Sequence, residues 1–111
     1  MGSETKDRLS AAKGRIGMFA KAAPAAMDGF ARLSKAATSA GAFSSAQREL
    51  IATAIAVVKG CEDCILYHVD SARKHGAEES ELVEALEIAL EMGGGPALMY
   101  ASKALEAYRD L

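Results

Sequence analysis

One stretch in the middle of the chain ends one helical pattern, begins another and contains both cysteines: Gly60-Cys61-Glu62-Asp63-Cys64-Ile65-Leu66-Tyr67-His68. Gly60 interrupts an apolar run, and a second glycine, Gly76, follows the next segment of helical spacing. We therefore expect Cys61 at a helix N-terminus. Unpaired N–H groups and the positive end of the helix dipole favour a thiolate over a thiol at such a place.

Three side chains of this stretch share one side of the expected helix. Residues three or four positions apart are neighbours on a helix surface, which aligns Cys61, Cys64 and His68. His68 could then take a proton from Cys64 or stabilise its thiolate. Two cysteines in this spacing at a helix start are a candidate redox site.

A glutamate on the preceding helix completes a candidate relay. If the helices before and after Gly60 are antiparallel, Glu49 lies within roughly one turn of His68. Glu49 could then orient the imidazole as the third member of a triad does. We expect Glu49, Cys61, Cys64 and His68 to be the catalytic residues.

The same residues carry a resemblance to a known family. Glu49, Cys61-x-x-Cys64-x-x-x-His68, Ala72-Arg73-Lys74-His75-Gly76-Ala77 and Gly93-Gly94-Gly95-Pro96-Ala97 occur in the order of the carboxymuconolactone decarboxylase and alkylhydroperoxidase D superfamily. The resemblance extends over roughly residues 24–108. Members with both cysteines resemble thiol peroxidases or disulfide reductases, whereas the lactone decarboxylases generally lack the pair.

The resemblance implies a peroxiredoxin-type oxidoreductase without a cofactor. Cys64 would attack a hydroperoxide or disulfide substrate, Cys61 would resolve the product, and a dithiol reductant, lipoyl-like by the resemblance, would restore the thiols. One difference lies before the second cysteine, where alkylhydroperoxidase D enzymes have a histidine and this chain has Asp63. Glu62 and Asp63 place negative charge beside the thiols, which opposes the helix dipole.

Other interpretations of the cysteines stay open. Cys61, Cys64 and His68, with Glu49 or His75, could bind zinc or iron in a metal-binding or assembly module. The cysteines could also be two small buried hydrophobic residues, and the family also includes lactone decarboxylases. Covalent haem is excluded, because Ile65 stands where its motif requires histidine.

Composition indicates one domain that gains by self-association. Of the 111 residues, 50% are hydrophobic, but 24 are alanine and none is tryptophan. Small side chains bury little area each, so a short chain of this kind has reason to complete its core in a homo-oligomer. A trimer or a larger ring such as a hexamer is expected, since the chain looks like one short copy of the family's helical core.

Charge and hydropathy exclude two classes of partner. The net charge is −2, and no basic stripe with interleaved aromatic residues indicates nucleic acid. No apolar run approaches the roughly 18 residues of a membrane span. We expect a cytoplasmic protein, and in a reducing compartment a C-x-x-C pair indicates catalysis or metal binding.

Periodicity, glycines and prolines predict an all-α fold, a bundle of about six helices in one domain spanning residues 1–111. Residues 1–6 are expected to be a frayed N-terminus. The glycine run 93–95 is read as a tight interhelical turn, since no strand precedes it as a phosphate loop requires. The expected helices are 7–22, 25–39, 45–59, 61–75, 78–92 and 96–109.

Overall fold

Residues 2–111 fold into six helices. The structure is a computed structural model and describes residues 2–111, in which no strand occurs. The helices are α1 (Gly2–Ala22), α2 (Pro24–Thr38), α3 (Ser45–Lys59), α4 (Glu62–Lys74), α5 (Glu79–Gly93) and α6 (Gly95–Asp110). The expectation of an all-helical single domain is confirmed.

The start of α3 shows why the local sequence predicted its bounds. Ser44 is the N-cap: its hydroxyl accepts a hydrogen bond from the Gln47 backbone N–H over 3.1 Å. The Gln47 side chain in turn accepts from the Ser44 backbone N–H over 2.9 Å. This reciprocal capping box satisfies two N–H groups that would otherwise lack partners, and α3 matches the expected range 45–59.

The N-terminal helix begins earlier than expected. Residues 2–6 were expected to be frayed but form the start of α1, while Met1 lies outside the described residues. Thr5 is buried, and its hydroxyl donates to Asp110 Oδ2 at the end of α6 over 2.9 Å. A tertiary contact 105 residues away in sequence therefore orders this segment, and no local pattern could have indicated it.

Helices α3 and α4 form an antiparallel hairpin at the centre of the molecule. The α5–α6 pair packs against it, while α1 packs on α4 and α6. The largest fully buried side chains, Ile65, Leu82, Val57, Val69 and Thr53, all lie on α3, α4 and α5. The hairpin is therefore the element on which the other helices assemble.

Two glycines make the turns of this architecture. Gly60 closes α3 in the left-handed region, with φ 70° and ψ 39°. The ring of Tyr100 on α6 approaches so closely that a Cβ on Gly60 would lie 3.1 Å from it. Gly94, between α5 and α6, has φ 70° and ψ −152°, a conformation that essentially only glycine adopts. The expected tight turn after α5 is thus present.

Helix α2 lies at the periphery and buries none of its residues. It contacts α1 and α3, and the Arg48 guanidinium on α3 donates to the carbonyls of Ala36 and Ala37 at its C-terminal end. Phe30 and Leu33, two large apolar side chains on this helix, are 61% and 65% exposed in the single chain.

Apolar side chains on other helices are exposed as well, because an apolar periodicity identifies one face of a helix without showing whether the chain itself covers that face. The affected residues are Ile16 and Phe19 on α1, Val58 on α3, and Val83 and Leu90 on α5.

No helix among residues 2–111 has both the length and the apolar character needed to cross a membrane.

Replacing Leu82 by alanine should destabilise the fold strongly. Leu82 is 1% exposed in the core, and truncating such a side chain costs about 2–5 kcal/mol of unfolding free energy. Urea unfolding followed by circular dichroism measures the change. Glu84→Ala, at an exposed position of the same helix, is the matched control and should stay within about 0.5 kcal/mol of the wild type.

The homo-oligomer stays a prediction, and the exposed apolar side chains indicate which helix face would form its interface. Among the residues that the structure describes, sixteen large apolar side chains are at least 36% exposed, and two of them, Phe30 and Leu33, lie on α2. With a net charge of only −2, copies of this chain repel each other weakly, so we expect a second copy to cover the α2 face.

Light scattering should therefore give a mass that is a multiple of 11.6 kDa. Leu33→Asp should lower that mass by placing a charge in the interface, while Lys35→Glu, at an exposed position of the same helix, should not. A wild-type protein that stays monomeric at micromolar concentration would contradict the expectation.

Candidate active site

A disulfide bond joins Cys61 and Cys64 at the beginning of α4. Cys61 is the N-cap residue, with an extended backbone at φ −104° and ψ 97°. Its Sγ accepts a hydrogen bond from the Cys64 backbone N–H over 3.2 Å. The first helical residue is thus Glu62 rather than Cys61, and the sulfur occupies the place where an N-cap side chain normally receives a free N–H group.

The two cysteines differ in their access to solvent. Cys64 is exposed, whereas Cys61 is half-buried. A small oxidant or a partner thiol can therefore reach the pair from solution, and it meets Cys64 with less obstruction. Neither cysteine belongs to the buried core, which argues against their being two inert hydrophobic residues.

Glu49 and His68 form a hydrogen bond across the α3–α4 hairpin. Glu49 Oε1 lies 2.6 Å from His68 Nδ1; Glu49 is 4% exposed, and the His68 side chain is 24% exposed. A carboxylate only accepts hydrogen bonds, so the imidazole donates from Nδ1. In the neutral ring, Nε2 then has a free lone pair and can accept a proton.

The antiparallel hairpin brings these two side chains together as the sequence argument required. Thr53, which is fully buried, donates its hydroxyl to the Glu49 backbone carbonyl over 2.8 Å. This hydrogen bond is internal to α3 and does not involve the Glu49 carboxylate. The ring of Tyr67 meets the His68 ring edge-on, with centroids 5.4 Å apart. Glu49 therefore has a defined partner and His68 a defined orientation.

Other expected contacts are not made. Within residues 2–111, His68 forms no hydrogen bond to either sulfur, so the histidine–cysteine step of the relay is not closed in the disulfide state. His75 lies at the far end of α4, where its Nδ1 donates to the Ser71 carbonyl over 2.8 Å.

The structure offers no support for a metal site at the cysteines. Among the residues it describes, no three His, Cys, Asp or Glu side chains are grouped so that they could hold a metal ion. The two sulfur atoms, which a zinc or iron site would need as thiolates, are bonded to each other.

Two ion pairs involve the residues between the cysteines, and no pattern in the sequence predicted them. Lys103 on α6 donates to Glu62 Oε1 over 2.5 Å, and Arg15 on α1 donates to Asp63 Oδ2 over 2.8 Å. The hydrogen bond and charge of Lys103 hold the pKa of Glu62 below its ordinary value of 4.5. Because the partners lie 41 and 48 residues apart in sequence, only the packing of α1 and α6 on α4 reveals them.

The sequence matches the model of a known protein family, and the fold matches a solved structure from that family. The Carboxymuconolactone decarboxylase family model matches residues 24–107. The crystal structure of apo-lpg0406, a carboxymuconolactone decarboxylase family protein from Legionella pneumophila, superposes with a TM-score of 0.92 at 41% identity, and 96% of each chain is covered.

Curated relatives align along almost the whole chain. An uncharacterized protein of Cupriavidus necator is 49% identical over 110 residues, which is 99% of this chain and 96% of the relative. The uncharacterized protein 4 in the cox locus of Paracoccus denitrificans is 38% identical over 100 residues, 90% of each chain. Since the family model spans most of the sequence and the fold agrees, the chain belongs to the carboxymuconolactone decarboxylase family.

Proposed function

We propose that this protein is a thiol-dependent peroxidase and disulfide oxidoreductase of the peroxiredoxin type. The observation that carries the proposal is the solvent-accessible Cys61–Cys64 disulfide at the N-terminus of α4, one helical turn from a histidine that is hydrogen-bonded to a buried glutamate. Family membership supports the coarser statement, a decarboxylase or a peroxidase-like protein. The dithiol favours the second.

Catalysis begins with the reduced pair. His68 Nε2 takes the proton of the Cys64 thiol, and the thiolate attacks the distal oxygen of the hydroperoxide. The O–O bond breaks, the sulfur becomes a sulfenic acid, and the alkoxide leaves with the proton that His68 returns. The exposure of Cys64 supports its role as the attacking residue.

Cys61 then resolves the sulfenic acid. Its sulfur attacks Cys64 Sγ, the S–S bond forms, and hydroxide leaves as water with the Cys61 thiol proton. Overall, one hydroperoxide and two thiols give one alcohol, one water and one disulfide. Because Cys61 and Cys64 lie three positions apart at the start of the same helix, this step needs no rearrangement of the helices.

Glu49 would act through His68 rather than on the substrate. Its carboxylate holds Nδ1–H, which keeps Nε2 as the basic nitrogen and stabilises the imidazolium after proton transfer. Burial excludes water that would compete for this hydrogen bond. A dithiol, lipoyl-like by the family resemblance, would then attack the exposed Cys64 sulfur and restore both thiols through a mixed disulfide.

Lactone decarboxylation is the second candidate, and the family's name is the observation that favours it. That reaction requires proton transfer to carbon and no dithiol. His68 with Glu49 could serve it without the cysteines. The two candidates therefore differ in what happens when the cysteines are removed: lactone turnover would survive in a Cys61→Ser, Cys64→Ser double variant.

The peroxidase proposal predicts a change of intact mass. One equivalent of a small organic hydroperoxide, added to pre-reduced, metal-free protein, should remove two hydrogens within seconds to minutes as the Cys61–Cys64 bond forms. Mass spectrometry of samples quenched in acid measures the loss. An unchanged mass would refute the peroxidase proposal.

Single cysteine variants test the assigned roles. Cys64→Ser should not react with peroxide, whereas Cys61→Ser should accumulate a sulfenic acid that dimedone traps, because no resolving thiol is present. Equal reactivity of the two variants would contradict the division of roles between the cysteines.

His68→Asn should slow oxidation by peroxide about 100-fold, the usual scale for loss of a general base. The asparagine keeps a hydrogen-bonding group beside Glu49 but cannot accept the proton. Stopped-flow measurement of thiol loss at neutral pH gives the rate. His75→Asn is the matched control, since His75 is exposed at the other end of α4; a comparable loss there would contradict the assignment to His68.

A further inference from the structure

Two acidic residues lie within one helical turn of the reactive cysteines. Glu62 and Asp63 occupy the positions between the cysteines, in the first turn of α4. A negative charge at this distance disfavours a second one on sulfur, so two unpaired carboxylates would reduce the thiolate fraction that the helix dipole promotes. Such a site should react slowly near neutral pH unless something offsets these charges.

Cations from two other helices offset them. Lys103 from α6 is hydrogen-bonded to Glu62, and Arg15 from α1 to Asp63. Arg8, also on α1, is close enough for its charge to act on Glu62 in the same direction as Lys103. The first turn of α4 thus has a cation for each of its carboxylates.

We propose that Lys103 and Arg15 are positioning residues that neutralise Glu62 and Asp63 and thereby keep the Cys61–Cys64 dithiol reactive near neutral pH. The proposal rests on the proposed function, in which a thiolate is the nucleophile. It extends that function to residues outside the cysteine motif.

The exposure of the pairs separates this role from a structural one. The four side chains are between 46% and 57% exposed, and exposed ion pairs contribute little to folding stability. Their charges still act on the neighbouring sulfurs, because Coulomb interactions over one helical turn persist in water at moderate ionic strength. Removing a cation should therefore change thiol reactivity without unfolding the protein.

Apart from Arg8, two other charged groups near the dithiol have to be considered, and both lie on α3. The Glu49 carboxylate on α3 is hydrogen-bonded to His68. Lys59, at the end of the same helix, is exposed and makes no ion pair among the residues the structure describes. It remains in every variant below, so it does not affect the comparison.

The experiment measures thiolate formation directly. Pre-reduced full-length protein is alkylated with iodoacetamide from pH 5 to pH 10, and the midpoint of the rate profile is determined. Lys103→Gln should raise the midpoint by about half a pH unit, which lowers the alkylation rate below the midpoint about threefold. Arg15→Gln should act in the same direction, and the double variant more strongly.

Matched variants separate charge from structure. Glu62→Gln alone should lower the midpoint, and added to Lys103→Gln it should restore the wild-type profile, because no uncompensated carboxylate remains. Arg109, near the C-terminal end of α6, forms an ion pair of similar exposure with Glu79 on α5. Arg109→Gln removes that pair and should leave the midpoint unchanged.

Two outcomes would overturn the proposal. One is a double variant Arg15→Gln, Lys103→Gln whose midpoint equals that of the wild type. The other is a raised midpoint in Lys103→Gln that Glu62→Gln does not reverse. Alkylation needs no peroxide, so a shifted midpoint in a protein inert to hydroperoxide would refute the peroxidase proposal alone.

Discussion

The hydrogen bond between Glu49 and His68 stabilises the alignment of α3 and α4 on which the candidate site depends. A buried carboxylate without a partner is costly, so the hairpin is most stable where Glu49 meets the imidazole. That alignment places a base one helical turn after Cys64. It also orients the histidine, because the carboxylate accepts from Nδ1 and leaves Nε2 for proton transfer. Gly60 permits the tight turn between the two helices, because it ends α3 in a left-handed conformation and in close contact with the Tyr100 ring.

The disulfide itself is a local feature, but its electrostatic setting is not. A cysteine pair three positions apart at a helix start needs only α4 and its N-cap. The charges that act on the pair come from α1 and α6, through Arg15 and Lys103. The chain thus has an acidic residue, Asp63, directly before the second cysteine, and a cation from another helix is hydrogen-bonded to it.

The exposed apolar surface connects composition to assembly. The alanine-rich helices pack closely in the centre, where several alanines are almost completely buried. Many larger apolar side chains are nevertheless exposed, on α2 and on the outer faces of α1, α3, α5 and α6. A peripheral helix with no buried residue has little to hold it in isolation. The same surface would become the interior of an assembly of identical chains.

The sequence by itself determined the six helices, the family and the short cysteine motif. These depend on local signals: the Ser44 capping box, the glycines that end helices, and spacings of three and four residues. The sequence also indicated the contact of Glu49 with His68, because a tight turn between antiparallel helices fixes which residues of the two helices lie level with each other. Only the tertiary structure decided which apolar faces are buried, how Thr5 orders the N-terminus, and which cations meet Glu62 and Asp63. Each of these depends on contacts between helices far apart in sequence, and periodicity shows which face of a helix is apolar without showing what packs against it.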